Sequence, residues 1–168
     1  MRSKKNLLLT AVFVVFGGPG IIVVYLPAAI TRWQMTSHVW LQLQALALFS
    51  LGLLPLAESI VRFVRVGCGT LSPTHPTENL VITGFYRYVR NPMYLGVLLL
   101  IAAQAALFAS RSLLLYLAAV AIAFHIFVVL YEEPTLRRKY GASYIEFCHK
   151  VPRWIPRRPQ VNDARTTL

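Results

Sequence analysis

Four long stretches almost free of charge constrain the fold of this chain more than any other feature. Asn6 to Ile30 carries no charged residue, Val39 to Val61 carries only Glu58, and Pro92 to Phe108 and Ser112 to Tyr131 carry none. A helix crossing the hydrocarbon of a bilayer needs roughly 20 apolar residues, within a range of about 17–25, and each stretch meets that length. The chain has 168 residues, 57% hydrophobic and 14% charged, whereas ordinary soluble domains carry about 25% charged residues. A soluble core of this size cannot cover so much apolar surface. The fold expected is all-α: an integral membrane bundle of about four transmembrane helices, followed by a C-terminal interfacial amphipathic helix. Residues 1–156 read as a single membrane domain and 157–168 as a basic, disordered tail. The first stretch follows Arg2, Lys4 and Lys5, but it exceeds the ~7–15 apolar residues of a signal-peptide core and is read as a span.

The net charge is +11, and its distribution matters more than its size. Arg32 and Arg111 fall in the first and third connections. The remaining Lys and Arg lie at the N-terminus, in or beside the second connection, and in the C-terminal region. This positive-inside pattern puts both termini in the cytoplasm and brings the basic residues to anionic lipid headgroups. No recognition motif accompanies the charge, so nucleic acid is excluded as a partner. Cys68 and Cys148 show no metal or redox spacing. The short chain and the lack of a targeting signal point to a prokaryotic inner membrane. No pattern specifies an oligomeric state.

Several local features refine this picture. Gly17-Gly18-Pro19-Gly20 breaks or kinks the first span, either for close packing through small residues or to leave a gap for a lipid-like ligand. Arg62 to Thr83 is a polar connection, and Glu58 can face Arg62 one helical turn on. Pro134 disfavours helical geometry at Glu133 and suits the opening of a helix. The fourth span is therefore expected to end near Glu132, with a second helix following. In that helix Leu136, Tyr140, Tyr144 and Phe147 recur at helical spacing beside Arg137, Arg138 and Lys139, with Gly141 as a bend. Trp154 is suited to anchoring the tail at the headgroups.

Two polar clusters carry the chemistry. One is Thr83-Gly84-Phe85-Tyr86-Arg87-Tyr88-Val89-Arg90-Asn91-Pro92-Met93-Tyr94-Leu95-Gly96, at the onset of the third span. The other is Glu132-Glu133-Pro134-Thr135-Leu136 with Tyr140-Gly141 and Tyr144, at the exit of the fourth. The expected topology brings both to the cytoplasmic side, where they can converge on one pocket. Adjacent carboxylates at a membrane edge repel and are costly to desolvate, so Glu132 and Glu133 call for a cation or several donors. A ligand with a positive centre, an amino group and ribose hydroxyls would supply both.

These ordered motifs resemble the isoprenylcysteine carboxyl methyltransferase family, within a wider group that includes phospholipid N-methyltransferases. The resemblance covers roughly residues 71–156. It implies S-adenosylmethionine in a cytoplasmic-side pocket, with a lipophilic acceptor entering from the bilayer. It makes Glu78, Asn79, Leu80 and Val81 a strip beside the cofactor, and Tyr86 a cofactor contact. It makes Asn91, Pro92, Met93 and Tyr94 the central cofactor loop, and Glu132 the acid that holds the cofactor. No metal is implied. Asn91 stands where eukaryotic carboxyl methyltransferases have His, as it does in phospholipid methyltransferases. Val128 stands where the former place a substrate-binding Arg, which could hold a carboxylate through both oxygens.

His125 lies seven residues before Glu132, on the same face of a regular helix. It is either a base for an amine acceptor or a histidine satisfied by another helix, for instance through Gln104. The activity expected is S-adenosylmethionine-dependent methyl transfer to a carboxylate or amine on an isoprenoid- or lipid-bearing acceptor. The alternatives are an NADPH-dependent membrane reductase, for which the strand–GxGxxG–helix context is missing, and a non-enzymatic membrane scaffold or transporter component.

Overall fold

The computed structural model of the chain describes residues 20–31, 38–65, 80 and 82–158, and among them every regular element is helical. A π turn, Ile21–Tyr25, leads into α1, Leu26–Thr31. Then come α2, Val39–Arg65, and a short 3₁₀ helix, Gly84–Arg87. Helix α3 spans Pro92–Leu107 and α4 Arg111–Phe127. A second π turn, Val128–Glu132, joins α4 to α5, Glu133–Tyr140, and Gly141 separates α5 from α6, Ala142–Lys150.

Two of the four expected spans are long and apolar enough to cross a bilayer: Val39–Arg62 and the continuous helical run Arg111–Tyr140. Only 22% and 11% of their most apolar windows are buried inside the protein. A core helix of a soluble protein would be mostly covered, so these helices suit a lipid surround. Ile21–Thr31 and Pro92–Leu107 are apolar but shorter. Most of the first apolar stretch, including Gly17, Gly18 and Pro19, lies outside the described residues. The third stops at Leu107 because Phe108 and Ala109 turn the chain, Ala109 at a positive φ of 46°. Ser110 then caps α4, its Oγ accepting from the Leu113 N–H at 3.3 Å.

Helices α2 and α3 are held together by two glycines. A Cβ on Gly96 would lie 2.7 Å from the Gly52 carbonyl oxygen and 2.9 Å from Leu56 Cβ, and one on Gly52 would lie 2.9 Å from the Gly96 oxygen. The backbones meet there as they do where small residues line membrane helix contacts. Around the crossing, Leu56, Val97, Leu100, Ile101 and Val120 form the buried apolar core, with Ile22, Val23, Met93 and Phe124 packed against it.

Both π turns precede a proline, and the register shift explains how the helices survive it. Pro27 has no N–H to give the carbonyl of Val23, and the Leu26 N–H bonds Ile21 O rather than Ile22 O. The two carbonyls left over are taken by side chains of other helices. Gln104 Nε2 donates to Val23 O at 2.8 Å, and the Tyr116 hydroxyl donates to Ile22 O at 3.0 Å. In an apolar surround every backbone polar group must find such a partner. The same device corrects the expected break at Glu132. The Glu133 N–H reaches back to Val128 O, and the helical run continues through Pro134 to Tyr140.

The C-terminal segment folds as the spacing predicts, with one addition. Tyr144, Phe147 and Val151 are buried together, with Leu80, Leu136 and Tyr140 against them, and Gly141 provides the bend at a φ of +55°. The chain beyond α6 then returns to the onset of α3. The Arg90 N–H donates to Pro152 O and the Arg157 N–H to Tyr88 O, each at 2.9 Å. Of the expected basic tail, residues 159–168 lie outside the described ones.

The glycine contact has a measurable consequence. Gly96→Ala must push α2 from α3 and should cost about 1–3 kcal/mol, as overpacking of a close contact does. Leu114→Ala, at a position 55% exposed, should change the melting temperature in detergent far less.

Candidate functional site

The two carboxylates of Glu132-Glu133 face different partners. Glu133 is 4% exposed. Arg90 Nη1 donates to its Oε1 at 2.9 Å, Arg153 Nε to the same oxygen at 2.7 Å, and Arg153 Nη2 to Oε2 at 2.9 Å. Arg137, one turn on, approaches at 3.8 Å. The carboxylate in turn holds the Arg153 guanidinium above its already high ordinary pKa. The donors that the acidic pair calls for are thus, for Glu133, the protein's own arginines. The clamp also fixes neighbouring groups: Arg90 Nη1 reaches Cys148 Sγ at 3.0 Å, and Asn91 Nδ2 donates to Arg153 O at 3.2 Å.

Glu132 has a different environment. Its Oε2 accepts from the Tyr94 hydroxyl at 2.9 Å, a neutral donor from the first turn of α3. The Tyr94 ring rests on Phe124 of α4, centroids 4.7 Å apart. Tyr86, on the 3₁₀ helix, completes the group. Burial pushes its phenol well above the usual value, and the charges of Glu132 and Glu58 push the same way. The Ser59 hydroxyl of α2 acts in the opposite sense on Tyr86, yet no hydrogen bond of acceptable geometry joins them and Ser59 Oγ lacks a partner among the described residues.

Tyr86 is placed by a clasp between α2 and the 3₁₀ helix. Glu58 pairs with Arg62 one turn on, as the spacing predicts, and its other oxygen accepts the Phe85 N–H at 3.0 Å. Gly84 makes this possible. It adopts a φ of +63°, and a Cβ there would strike the Glu58 carboxylate and the Arg62 guanidinium.

The other candidate residues divide as follows. Asn91 is buried and its amide Nδ2 holds the tail backbone; Pro92 opens α3 from a fully buried position. Met93 packs against the main core, and Leu80 packs against the α6 cluster. Glu78, Asn79 and Val81 lie outside the described residues. His125 is not grouped with Glu132. The Trp154 Nε1–H donates to His125 Nδ1 at 3.1 Å, so the expected link to Gln104 is replaced by one to the tail. The π turn is the reason the two residues part. One residue inserted between them turns everything beyond it by about 100° around the axis, so the shared face of a regular helix is lost. With Nδ1 engaged, the neutral ring offers only an Nε2 donor. Val128 is 1% exposed at the start of that turn and contributes apolar packing.

Ser59 escaped the sequence reading because a lone serine in an apolar stretch carries no pattern. Its one available signal is its position beside Glu58, the single charge of the second apolar stretch.

The clamp can be tested apart from any activity. Arg90→Met leaves a buried carboxylate short of a partner and should lower stability by about 3–5 kcal/mol. Arg137→Ala removes a long contact from a side chain 57% exposed and should change it by less than about 1 kcal/mol. Thermal melting of the two variants checks this.

Residues 40–143 match the family model of the phospholipid methyltransferases. Comparison with curated proteins gives no match. The matched region runs from α2 to the first turn of α6 and includes Ser59, Tyr86, Tyr94 and both carboxylates. A membrane-associated helical chain with this match over more than half its length belongs to the phospholipid methyltransferase family.

Proposed function

We propose that this protein transfers a methyl group from S-adenosylmethionine to the amine headgroup of a lipophilic acceptor. The reaction takes place at the cytoplasmic membrane face, in a bundle of four spans with both termini in the cytoplasm. The observation that carries this reading is the division of the acidic pair: among the described residues, arginines occupy Glu133, whereas Glu132 accepts from a neutral phenol. Family membership supports methyl transfer and a lipid acceptor. The charge distribution supports the topology, with the first apolar stretch, Asn6 to Ile30, and α3 as the two further spans. Sixteen residues of α3 rise about 24 Å, which a modest local thinning of a ~30 Å hydrocarbon core can match.

The donor set suits the cofactor. Glu132 presents a carboxylate to an amino group or to ribose hydroxyls, and Asn91 Oδ1 adds an acceptor. Tyr86 and Tyr94 present phenol hydroxyls and ring faces, which attract a cationic centre. When bound, the cofactor supplies a methyl group made electrophilic by its sulfonium sulfur. The residues hold donor and acceptor in line and keep water out; proximity and orientation of this kind can supply roughly 7–11 kcal/mol.

The charges near the site favour an amine over a carboxylate. Arg62 is paired with Glu58, Arg90 and Arg153 are paired with Glu133, and Val128 is apolar. An anionic reacting group finds no free cation among these residues.

Calorimetric titration of the purified, folded protein with S-adenosylhomocysteine tests this function. Binding is expected, and Glu132→Ala and Tyr94→Ala should each weaken it at least about tenfold, a loss of about 1.4 kcal/mol. Glu146→Ala, exposed on α6 and paired with Lys150, should leave it unchanged. A folded protein that does not bind would overturn the reading.

A further inference from the structure

Ser59 lies on the turn of α2 that carries Glu58, and it is wholly buried. A serine inside a helix commonly donates to the carbonyl four residues back. Ser50 on the same helix does so, reaching Leu46 O at 2.9 Å. Ser59 makes no such bond, and its Oγ has no partner among the described residues. A buried hydroxyl without a partner destabilises the protein that contains it, and alanine would fit a helix at least as well.

The polar group beside Ser59 is the Tyr86 phenol. The Glu58 clasp to the Phe85 N–H holds the 3₁₀ helix against α2, so Ser59 and Tyr86 stay neighbours by construction. Tyr86 also lies within electrostatic reach of Glu132 and Tyr94. A line of groups therefore runs from the interior of α2 to the carboxylate of the candidate site, with one hydrogen bond unmade at its inner end.

We propose that Ser59 is a positioning residue of this site, its hydroxyl donating to the Tyr86 phenol oxygen when ligand is bound, so that the Tyr86 O–H is directed at an acceptor oxygen or nitrogen of the methyl donor. The proposal rests on the cofactor reading given above. Its physical basis is that hydrogen bonds in a chain polarise one another. A phenol that accepts from Ser59 donates more strongly, and it is fixed in one orientation. The Ser59 hydroxyl, without a partner among the described residues, gains one on binding, and Ser59 contributes to affinity without touching the ligand.

The test is a double-mutant cycle read by titration with S-adenosylhomocysteine, with melting temperatures recorded without ligand. Ser59→Ala should weaken binding about five- to tenfold and should melt at or above the wild type. Tyr86→Phe should weaken binding at least as much. The double variant should bind no more weakly than Tyr86→Phe alone, since contacting groups that act together are not additive. Equal affinity of Ser59→Ala and wild type would overturn the proposal and leave the cofactor reading intact, as would losses that multiply in the double variant. A fall in melting temperature that accompanies the loss of affinity would make Ser59 a packing residue and overturn it too. A wild type that does not bind would overturn the cofactor reading, and this proposal with it.

Discussion

A buried carboxylate clamped by two arginines organises one end of this molecule. Glu133 joins three segments far apart in sequence: the loop before α3 through Arg90, the start of α5, and the tail through Arg153. Isolated burial of that charge would be prohibitive, so the three segments must assemble together or not at all. Around the clamp, Asn91 and the backbone of Arg90 and Tyr88 bind the tail. This assembly fixes the loop whose next residues include Tyr94, and it fixes the residue adjacent to Glu132.

Backbone register does the rest of the positioning. The π turn at Val128–Glu132 lets the helix pass Pro134 and re-aims Glu132 toward Tyr94, away from the face of His125. π turns are often found at functional sites for this reason. The matching turn before Pro27 releases two carbonyls, and Gln104 and Tyr116 satisfy them. Gln104 and Tyr116, polar side chains inside the apolar stretches, thus serve the backbone.

The sequence shows the helical architecture clearly, because charge-free stretches of this length have few other folds available. It also shows the Glu58–Arg62 pair, the bend at Gly141 and the two polar clusters, all of which follow from local spacing. It does not show the division of labour between Glu132 and Glu133. Adjacent residues look alike in sequence, and only the third dimension reveals that arginines 43 residues before and 20 residues after Glu133 are within reach. The π turn was hidden for a related reason. Pro134 signals a helix stop, but a one-residue register shift removes the clash at little cost. An unbroken period puts His125 and Glu132 on one face, and the π turn Val128–Glu132 interrupts that period. Ser59 carries no signal in the sequence, because what sets it apart is a burial without a partner among the described residues.

The two adjacent carboxylates are proposed to divide the work, Glu132 for the ligand and Glu133 for the fold. The most direct test is the melting temperature of Glu132→Gln and Glu133→Gln, with and without S-adenosylhomocysteine, since a ligand that binds only the folded state raises it. Glu132→Gln should melt near the wild type without ligand and show little or no rise with it. Glu133→Gln should melt well below the wild type and still show a rise. The reverse assignment, or equal behaviour of the two variants, would contradict the account.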